Sequence, residues 1–296
     1  MQLGLIGLGR MGANMRERLR RGGHTVIGYD RDPSLSDVTD LAELVARLDP
    51  PRAVWVMVPA GAATHSVIED LSGLLSADDL VVDGGNSRWT EDQGHAGRLA
   101  ANGIGFVDAG VSGGVWGLTN GYALMVGGQP EHVARLQPLF DALKPDGPYG
   151  FVHAGGVGAG HFAKMVHNGI EYAIMQAYAE GWELLETVDC VTDVREVFRS
   201  WQDGTVIRSW LLDLAVRALD ADRHLDQVKG YAADSGEGRW TVEAAIEHAV
   251  ALPTITTALY ARFASRQDDP KQMKMIAALR NEFGGHPLRS VPDGGH

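Results

Sequence analysis

Lys164, His167, Asn168, Glu171 and Tyr172 stand within one short span of this chain. On an α-helix they fall at i, i+3, i+4, i+7 and i+8, so one face presents an amine, an imidazole, an amide, a carboxyl and a phenol. Phe162, Met165, Val166 and Ile170 fall on the opposite rows, where they can pack. A general base, a general acid and donors that orient a substrate are thereby carried on one rigid element. The same pattern also suits a solvated face, because Lys and Glu at such spacing are common on ordinary helices.

A second constellation lies at the N-terminus. Gly7-Leu8-Gly9-Arg10-Met11-Gly12 follows an apolar strand-like run and opens an amphipathic segment, the strand–turn–helix setting in which G-x-G-x-x-G binds a dinucleotide. The first glycine allows the tight turn, the second lets the backbone approach a pyrophosphate, and the third lets helix and strand pack closely. Helix-start amides then receive the phosphates. Asp30 ends the next strand, where a carboxylate accepts from both ribose hydroxyls and repels a 2′-phosphate. Arg31 follows directly and favours NADP, but the position and charge of Asp30 make NAD the expected cofactor. Val58, at the end of the third strand, and Asn86, after the fourth, complete the expected cofactor-binding set.

The elements that must position these residues can be read in outline. Leu3–Ile6, Thr25–Tyr29, Ala53–Val58, Leu80–Val82 and Ile104–Val107 read as strands, with helical segments near 11–21, 40–48, 62–75 and 90–101 between them. This alternation predicts an α/β Rossmann-type doubly wound, mostly parallel sheet covered on both faces. A further apolar run, Tyr122–Val126, and a helix at 130–142 close this half, and the glycine-rich stretch 155–160 marks a break. Beyond it, 161–187, 193–221 and 241–266 read as helical and no strand is evident. Two domains are expected, a dinucleotide-binding one over 1–158 and an all-helical substrate and dimerisation domain over 159–296.

The composition narrows the function classes. Of 296 residues, 45% are apolar and 22% charged, and the net charge of −12 argues against a nucleic-acid backbone and mildly against an anionic membrane. Any anionic substrate then needs a local cationic pocket. Cys190 is the single cysteine, so neither an intrachain disulfide nor a cysteine metal cluster can form, and no other metal-ligand set is evident. No apolar run approaches the roughly 18 residues of a membrane span, and no signal segment is evident, so a cytoplasmic protein is expected.

With these residues in view, the chain resembles the β-hydroxyacid dehydrogenase superfamily and, within it, a short, NAD-type form of the decarboxylating 6-phosphogluconate dehydrogenases. Gly4–Gly12, Asp83-Gly84-Gly85-Asn86-Ser87, Val111-Ser112-Gly113-Gly114 and Gly160–Tyr172 carry the resemblance. It implies that Lys164 is the general base and Glu171 the general acid. It further implies that Ser112, Gly113, Gly114, His167 and Asn168 hold the carboxylate and hydroxyls of a sugar acid, with Asn86 between nicotinamide and substrate. Tyr172 and Arg262 would bind a phosphate, as would Arg280 and His286 of a C-terminal tail that reaches a neighbouring subunit in a homodimer or homotetramer. Two departures bear on the substrate. Ser235-Gly236-Glu237-Gly238-Arg239-Trp240-Thr241 stands where the family usually has Lys-Gly-Thr-Gly-Lys-Trp-Thr, and Val115-Trp116 replace a pair of glutamates.

The chemistry so implied is oxidation at C3 with loss of CO₂. Lys164, neutral through burial or a neighbouring cation, takes the C3 hydroxyl proton, and Glu171 protonates C1 of the resulting enediol. A 3-hydroxyisobutyrate-type or other non-phosphorylated sugar-acid dehydrogenase shares the fold and the lysine. His167, Glu171 and the arginine-bearing tail count against it. A catalytically silent NAD-binding protein is the reading of another class, and the joint presence of Lys164 and Glu171 counts against that one.

Overall fold

A computed structural model describes residues 1–289; the last residues of the expected second domain and of its tail, 290–296, lie outside the described residues. The first compact unit, Met1–Asn168, is built on β1 (Gln2–Ile6), α1 (Arg10–Arg21), β2 (Thr25–Tyr29), α2 (Leu41–Ala46), β3 (Ala53–Val56), α3 (Ala62–Leu74), β4 (Leu80–Asp83) and α4 (Trp89–Ala100). It continues through β5 (Gly105–Ser112), a 3₁₀ turn (Gly114–Trp116), α5 (Gly117–Asn120), β6 (Ala123–Gly128), α6 (Pro130–Leu143), β7 (Phe151–Gly155) and the start of α7 (Ala159–Thr187). One seven-stranded sheet runs β2-β1-β3-β4-β5-β6-β7, parallel throughout except that β5 and β6 pair antiparallel. This is the Rossmann-type α/β fold.

β3 and β4 are buried at every residue, as strands covered on both faces must be. One core beneath α1 and α6 gathers Leu3, Leu5, Trp55, Val107, Tyr122 and Phe140, and a second beneath α2, α3 and α4 gathers Val54, Val56, Ile68, Leu71, Val81 and Leu99. The strand β7 is the element that periodicity misses. Only its end residues are half-buried, and it lies at the sheet margin with Val152 and His153 exposed. Strand β5 runs on to Ser112, past the expected end at Val107, because β6 turns back along it and pairs through Ser112↔Ala123.

The second compact unit, Gly169–His296, has helices and no strand among its described residues: the remainder of α7, then α8 (Val194–Ser200), α9 (Trp210–Ala221), α10 (Glu237–Glu247), α11 (Pro253–Ala264) and α12 (Lys271–Gly284). The expected helix over 193–221 is two, with Gly204 at φ 77° and the Ser209 cap, whose side chain accepts from Leu212, between them. The expected helix over 241–266 is also two, divided by Ala249 at φ 55° and by Pro253 in the first turn of α11. The two compact units meet at 168/169, inside α7. The first turns of α7 lie against the sheet: a Cβ on Gly160 would stand 2.4 Å from the Met125 carbonyl. Among the described residues no helix is long and apolar enough to cross a membrane.

Candidate functional site

The turn between β1 and α1 is built for an anion. Gly7 adopts φ 91° while its amide donates to the Tyr29 carbonyl at 2.8 Å, and a Cβ on Gly12 would meet the Gly7 carbonyl at 1.9 Å. A Cβ on Gly9 would meet nothing within 4 Å, no side chain caps α1, and its first turn holds no acid. The positive end of the helix thus faces open space. Asp30 is held by the backbone: one carboxylate oxygen accepts from the Leu8 amide at 2.6 Å and the other from the Asp32 amide at 2.9 Å. A cavity of about 610 Å³ follows, lined by Gly7, Gly9, Arg10, Met11, Gly12, Asp30, Arg31, Val58, Asn86 and Lys164. That size suits a cofactor-scale ligand. Leu8 does not line it; its side chain is buried beneath the turn. Tyr29, Met57, Ala63 and Val67 add apolar wall that no motif marks. These features fit a dinucleotide: an uncapped helix start for the pyrophosphate, a braced carboxylate for the ribose and apolar walls for the rings.

At the far end of this cavity two expected site residues meet. Asn86 sits on the loop after β4, where the Asp83 carboxylate accepts from the Gly85 amide at 3.0 Å and folds the loop back. Lys164, 8% exposed, donates from Nζ to the Asn86 Oδ1. The close approach of α7 to β5 that makes this bond possible requires Gly110, where a Cβ would stand 2.3 Å from the Lys164 Cβ. Ser112 ends β5; Gly113 and Gly114, at φ 136° and 52°, lead into the 3₁₀ turn, whose Val115 and Trp116 are exposed. One turn beyond Lys164, His167 Nδ1 lies 3.1 Å from the Asn168 Oδ1.

At the start of α7 lies a buried polar group that no motif marks. Asp108 of β5 accepts from the Gly158 amide at 2.7 Å and the His161 amide at 2.9 Å, fixing the start of α7. Asp92 of α4 accepts from His161 Nδ1, at 2.9 and 3.1 Å to its two oxygens. Burial pushes the Asp92 carboxyl up, to about 7. For His161 burial acts downward, but the bond to Asp92 and the charges of Asp92, Asp83 and Asp108 outweigh it and lift the imidazole, to about 9. Both shifts favour retention of a proton by the pair. Asp83, Asp92 and His161 also bring one ligand-type atom each within 4.8 Å of one another, a juxtaposition the sequence reading of metal ligands did not contain. Asp92, His161 and Asp108 are distant in sequence and form no spaced motif, so only the fold brings them together.

In the second unit Tyr172 is buried, and its hydroxyl accepts from the Ser235 amide at 3.0 Å and lies 3.3 Å from the Ser235 Oγ. The Arg262 guanidinium lies 3.5 Å over the Tyr172 ring and donates to the Ala233 carbonyl at 2.9 Å. Arg239 and Arg266 both bind Asp234, at 2.7 and 2.8 Å, and the Arg239 bonds above all hold that carboxyl well below its usual range. Glu237, in the first turn of α10, is buried. Glu171 is half-buried, two turns along α7 from Lys164. Arg280 is exposed on α12, and His286 follows the left-handed Gly285 cap, its carbonyl accepting from the Asn281 side chain at 2.9 Å.

Known proteins share this sequence and fold. The NAD binding domain of 6-phosphogluconate dehydrogenase matches residues 2–146, and the 6-phosphogluconate dehydrogenase C-terminal domain matches residues 160–290. An NAD(+)-dependent, decarboxylating 6-phosphogluconate dehydrogenase of Haloferax volcanii is 41% identical over 303 residues, covering 99% of this chain and 100% of its own. Among solved structures, the Plasmodium falciparum 6-phosphogluconate dehydrogenase superposes with a TM-score of 0.83 at 24% identity, covering 100% of this chain and 67% of that one. A Mycobacterium tuberculosis 3-hydroxyisobutyrate dehydrogenase superposes with a TM-score of 0.72, also at 24% identity, over 94% of this chain and 99% of that one. At such identity the two structures speak for the fold alone. The domain matches and the full-length relative show that this chain belongs to the 6-phosphogluconate dehydrogenase family.

Proposed function

We propose that the chain catalyses NAD-dependent oxidative decarboxylation of 6-phosphogluconate to ribulose 5-phosphate and CO₂. The observation that carries this reading is the Lys164 amine, bonded to Asn86 in the wall of the dinucleotide cavity. Gly7–Gly12 and Asp30 hold NAD, which when bound accepts the hydride from the carbon bearing the substrate's C3 hydroxyl. Lys164 takes the proton of that hydroxyl, and Asn86 fixes the amine by accepting one of its N–H bonds. The ketone so formed lies β to the carboxylate, so the C1–C2 electron pair moves towards the C3 oxygen as CO₂ leaves. Lys164 returns its proton to that oxygen. Glu171 then protonates the former C2, which is C1 of the enediol, and Lys164 takes the proton of the adjacent hydroxyl on the former C3. The reaction neither gains nor loses a proton, and a proton passing from Lys164 to Glu171 resets the pair.

Ser112, Gly113, Gly114, His167 and Asn168 are assigned to the sugar-acid carboxylate and hydroxyls. Tyr172 and Arg262 are assigned to the phosphate, since the guanidinium packs on the ring whose hydroxyl is tethered to Ser235. Arg280 and His286 are assigned to the phosphate of a neighbouring subunit in a homodimer or homotetramer. The support is α12, in which no residue is buried and Met273, Ile276, Leu279 and Phe283 are exposed. The single cysteine and acidic charge fit a cytoplasmic setting.

The test is a panel of 6-phosphogluconate, gluconate and 3-hydroxyisobutyrate, each with NAD and NADP, followed by the absorbance of reduced nicotinamide. The highest kcat/KM is expected for 6-phosphogluconate with NAD. Preference for gluconate would show that Ser235 and Glu237 have removed the phosphate requirement. Preference for 3-hydroxyisobutyrate would identify the non-decarboxylating superfamily activity.

A further inference from the structure

Neither His161 nor Asp92 lines the cavity, yet each is tied to one of the two residues that meet at its end. Asp92 lies in the first turns of α4, and α4 starts directly after the Asp83–Ser87 loop that carries Asn86. His161 lies one turn before Lys164 on α7. We propose that the His161–Asp92 pair is a positioning device for this reaction, holding the Asn86 loop and the Lys164 helix in the register that aims the amine. The inference rests on the dehydrogenase reading and adds two residues that touch neither substrate nor cofactor.

The geometry around the pair supports a clamp. His161 is 2% exposed and Asp92 fully buried, so water does not compete for the bond. Asp108 anchors the same turn of α7 from the strand side through the Gly158 and His161 amides. Trp89 meets Phe162 edge-on at 5.2 Å, and the Gln93 side chain donates to the Val157 carbonyl at 2.9 Å, so α4 is joined both to α7 and to the segment just before it. The groups facing His161 are Asp83 from β4, Asp108 from β5 and Asp92 from α4, three carboxylates around one imidazole. Such a group is costly to bury, and an apolar staple of the same volume would hold two helices together at least as well. What the polar pair adds is direction: an imidazole bonded at Nδ1 to both carboxylate oxygens has one orientation, whereas a leucine in its place has several rotamers. A small rotation of α7 would swing Lys164 Nζ away from Asn86, and misplacement of a reacting group on the ångström scale lowers rate steeply.

The test compares three variants by steady-state kinetics, NAD affinity and thermal melting. His161→Leu removes the bond. His161→Asn keeps an N–H donor near the place of Nδ1. The double variant His161→Leu, Asp92→Leu replaces the pair with apolar packing and leaves no buried carboxylate unpaired. His161→Leu and the double variant are expected to lose about thirtyfold or more in kcat, while the NAD Kd changes by less than about twofold. His161→Asn is expected to recover kcat to within about fivefold of wild type. A double variant that folds, binds NAD and keeps kcat within about threefold of wild type would overturn the proposal. So would equal losses in His161→Leu and His161→Asn at matched melting temperature. Acetylation of Lys164, followed by mass spectrometry, gives a reading that does not depend on the substrate. Its rate is expected to change by about fivefold or more in His161→Leu and by less than about twofold in His161→Asn, and no change in either overturns the proposal. A wild-type enzyme inactive on 6-phosphogluconate would defeat the functional reading alone and leave the acetylation comparison to decide this one.

Discussion

In the proposed mechanism Lys164 and Glu171 carry the proton transfers, and the loss of each residue has its own signature. Lys164→Met is expected to lower turnover at least about a hundredfold, the range of a lost general base, while NAD binding stays nearly intact because the Gly7–Gly12 turn is untouched. Retention of more than about a tenth of wild-type turnover would defeat the base assignment. Glu171→Gln is expected to be similarly damaging, but only after CO₂ has left, so a single-turnover experiment should show CO₂ release outrunning release of the pentulose phosphate. Two backbone amides hold the Asp30 carboxylate in place, and the proposed reading makes it the determinant of cofactor choice. Asp30→Asn removes the like charge facing a 2′-phosphate and is expected to level or reverse the preference for NAD in kcat/KM; wild-type efficiency with NADP equal to that with NAD would refute this role. These residues were legible because their side chains are chemically distinctive and their spacing matches one helix face or one turn. His161 and Asp92 were not, because a lone imidazole and a lone carboxylate distant in sequence gain meaning only when the fold closes them to 2.9 Å.

Among elements, those with strong apolar runs were read within a few residues, and the exceptions have physical causes. The strand β7 lies at the sheet margin and buries little, so its sequence lacks a continuous apolar run. The antiparallel β5–β6 pairing carries β5 on to Ser112 and places Gly110 where α7 passes. Tertiary contact, not local pattern, extends that strand. Gly110→Ala tests the packing: its Cβ would stand 2.3 Å from the Lys164 Cβ and 2.9 Å from the Gly160 carbonyl, so helix or strand must shift. Overpacking of this kind costs about 1–3 kcal/mol and is expected to lower the melting temperature by several degrees. Because the displaced atoms are those of Lys164, kcat is expected to fall by more than about tenfold while the NAD Kd holds. A Gly110→Ala enzyme with wild-type kcat would show that the close approach does not aim the amine.

At the scale of the whole molecule, α12 carries apolar and cationic residues with none buried, which is the ground for the proposed contact with a neighbouring subunit. Deletion of 280–296 is expected to raise KM for 6-phosphogluconate at least about tenfold, the effect of losing one charge-assisted contact. Mixing Lys164→Met chains, tail intact, with Arg280→Ala, His286→Ala chains should restore activity, since some sites then pair an intact tail with an intact Lys164. A verified heterodimer that stays inactive would show that the tail does not act across an interface. The most direct measurement of the proposed chemistry follows both products of turnover. 6-Phosphogluconate labelled with heavy carbon at C1 is incubated with enzyme and NAD, and reduced nicotinamide and labelled CO₂ are determined together. Equal yields of the two, with unlabelled ribulose 5-phosphate, are predicted; reduced nicotinamide without labelled CO₂, or neither product, would contradict a decarboxylating dehydrogenase.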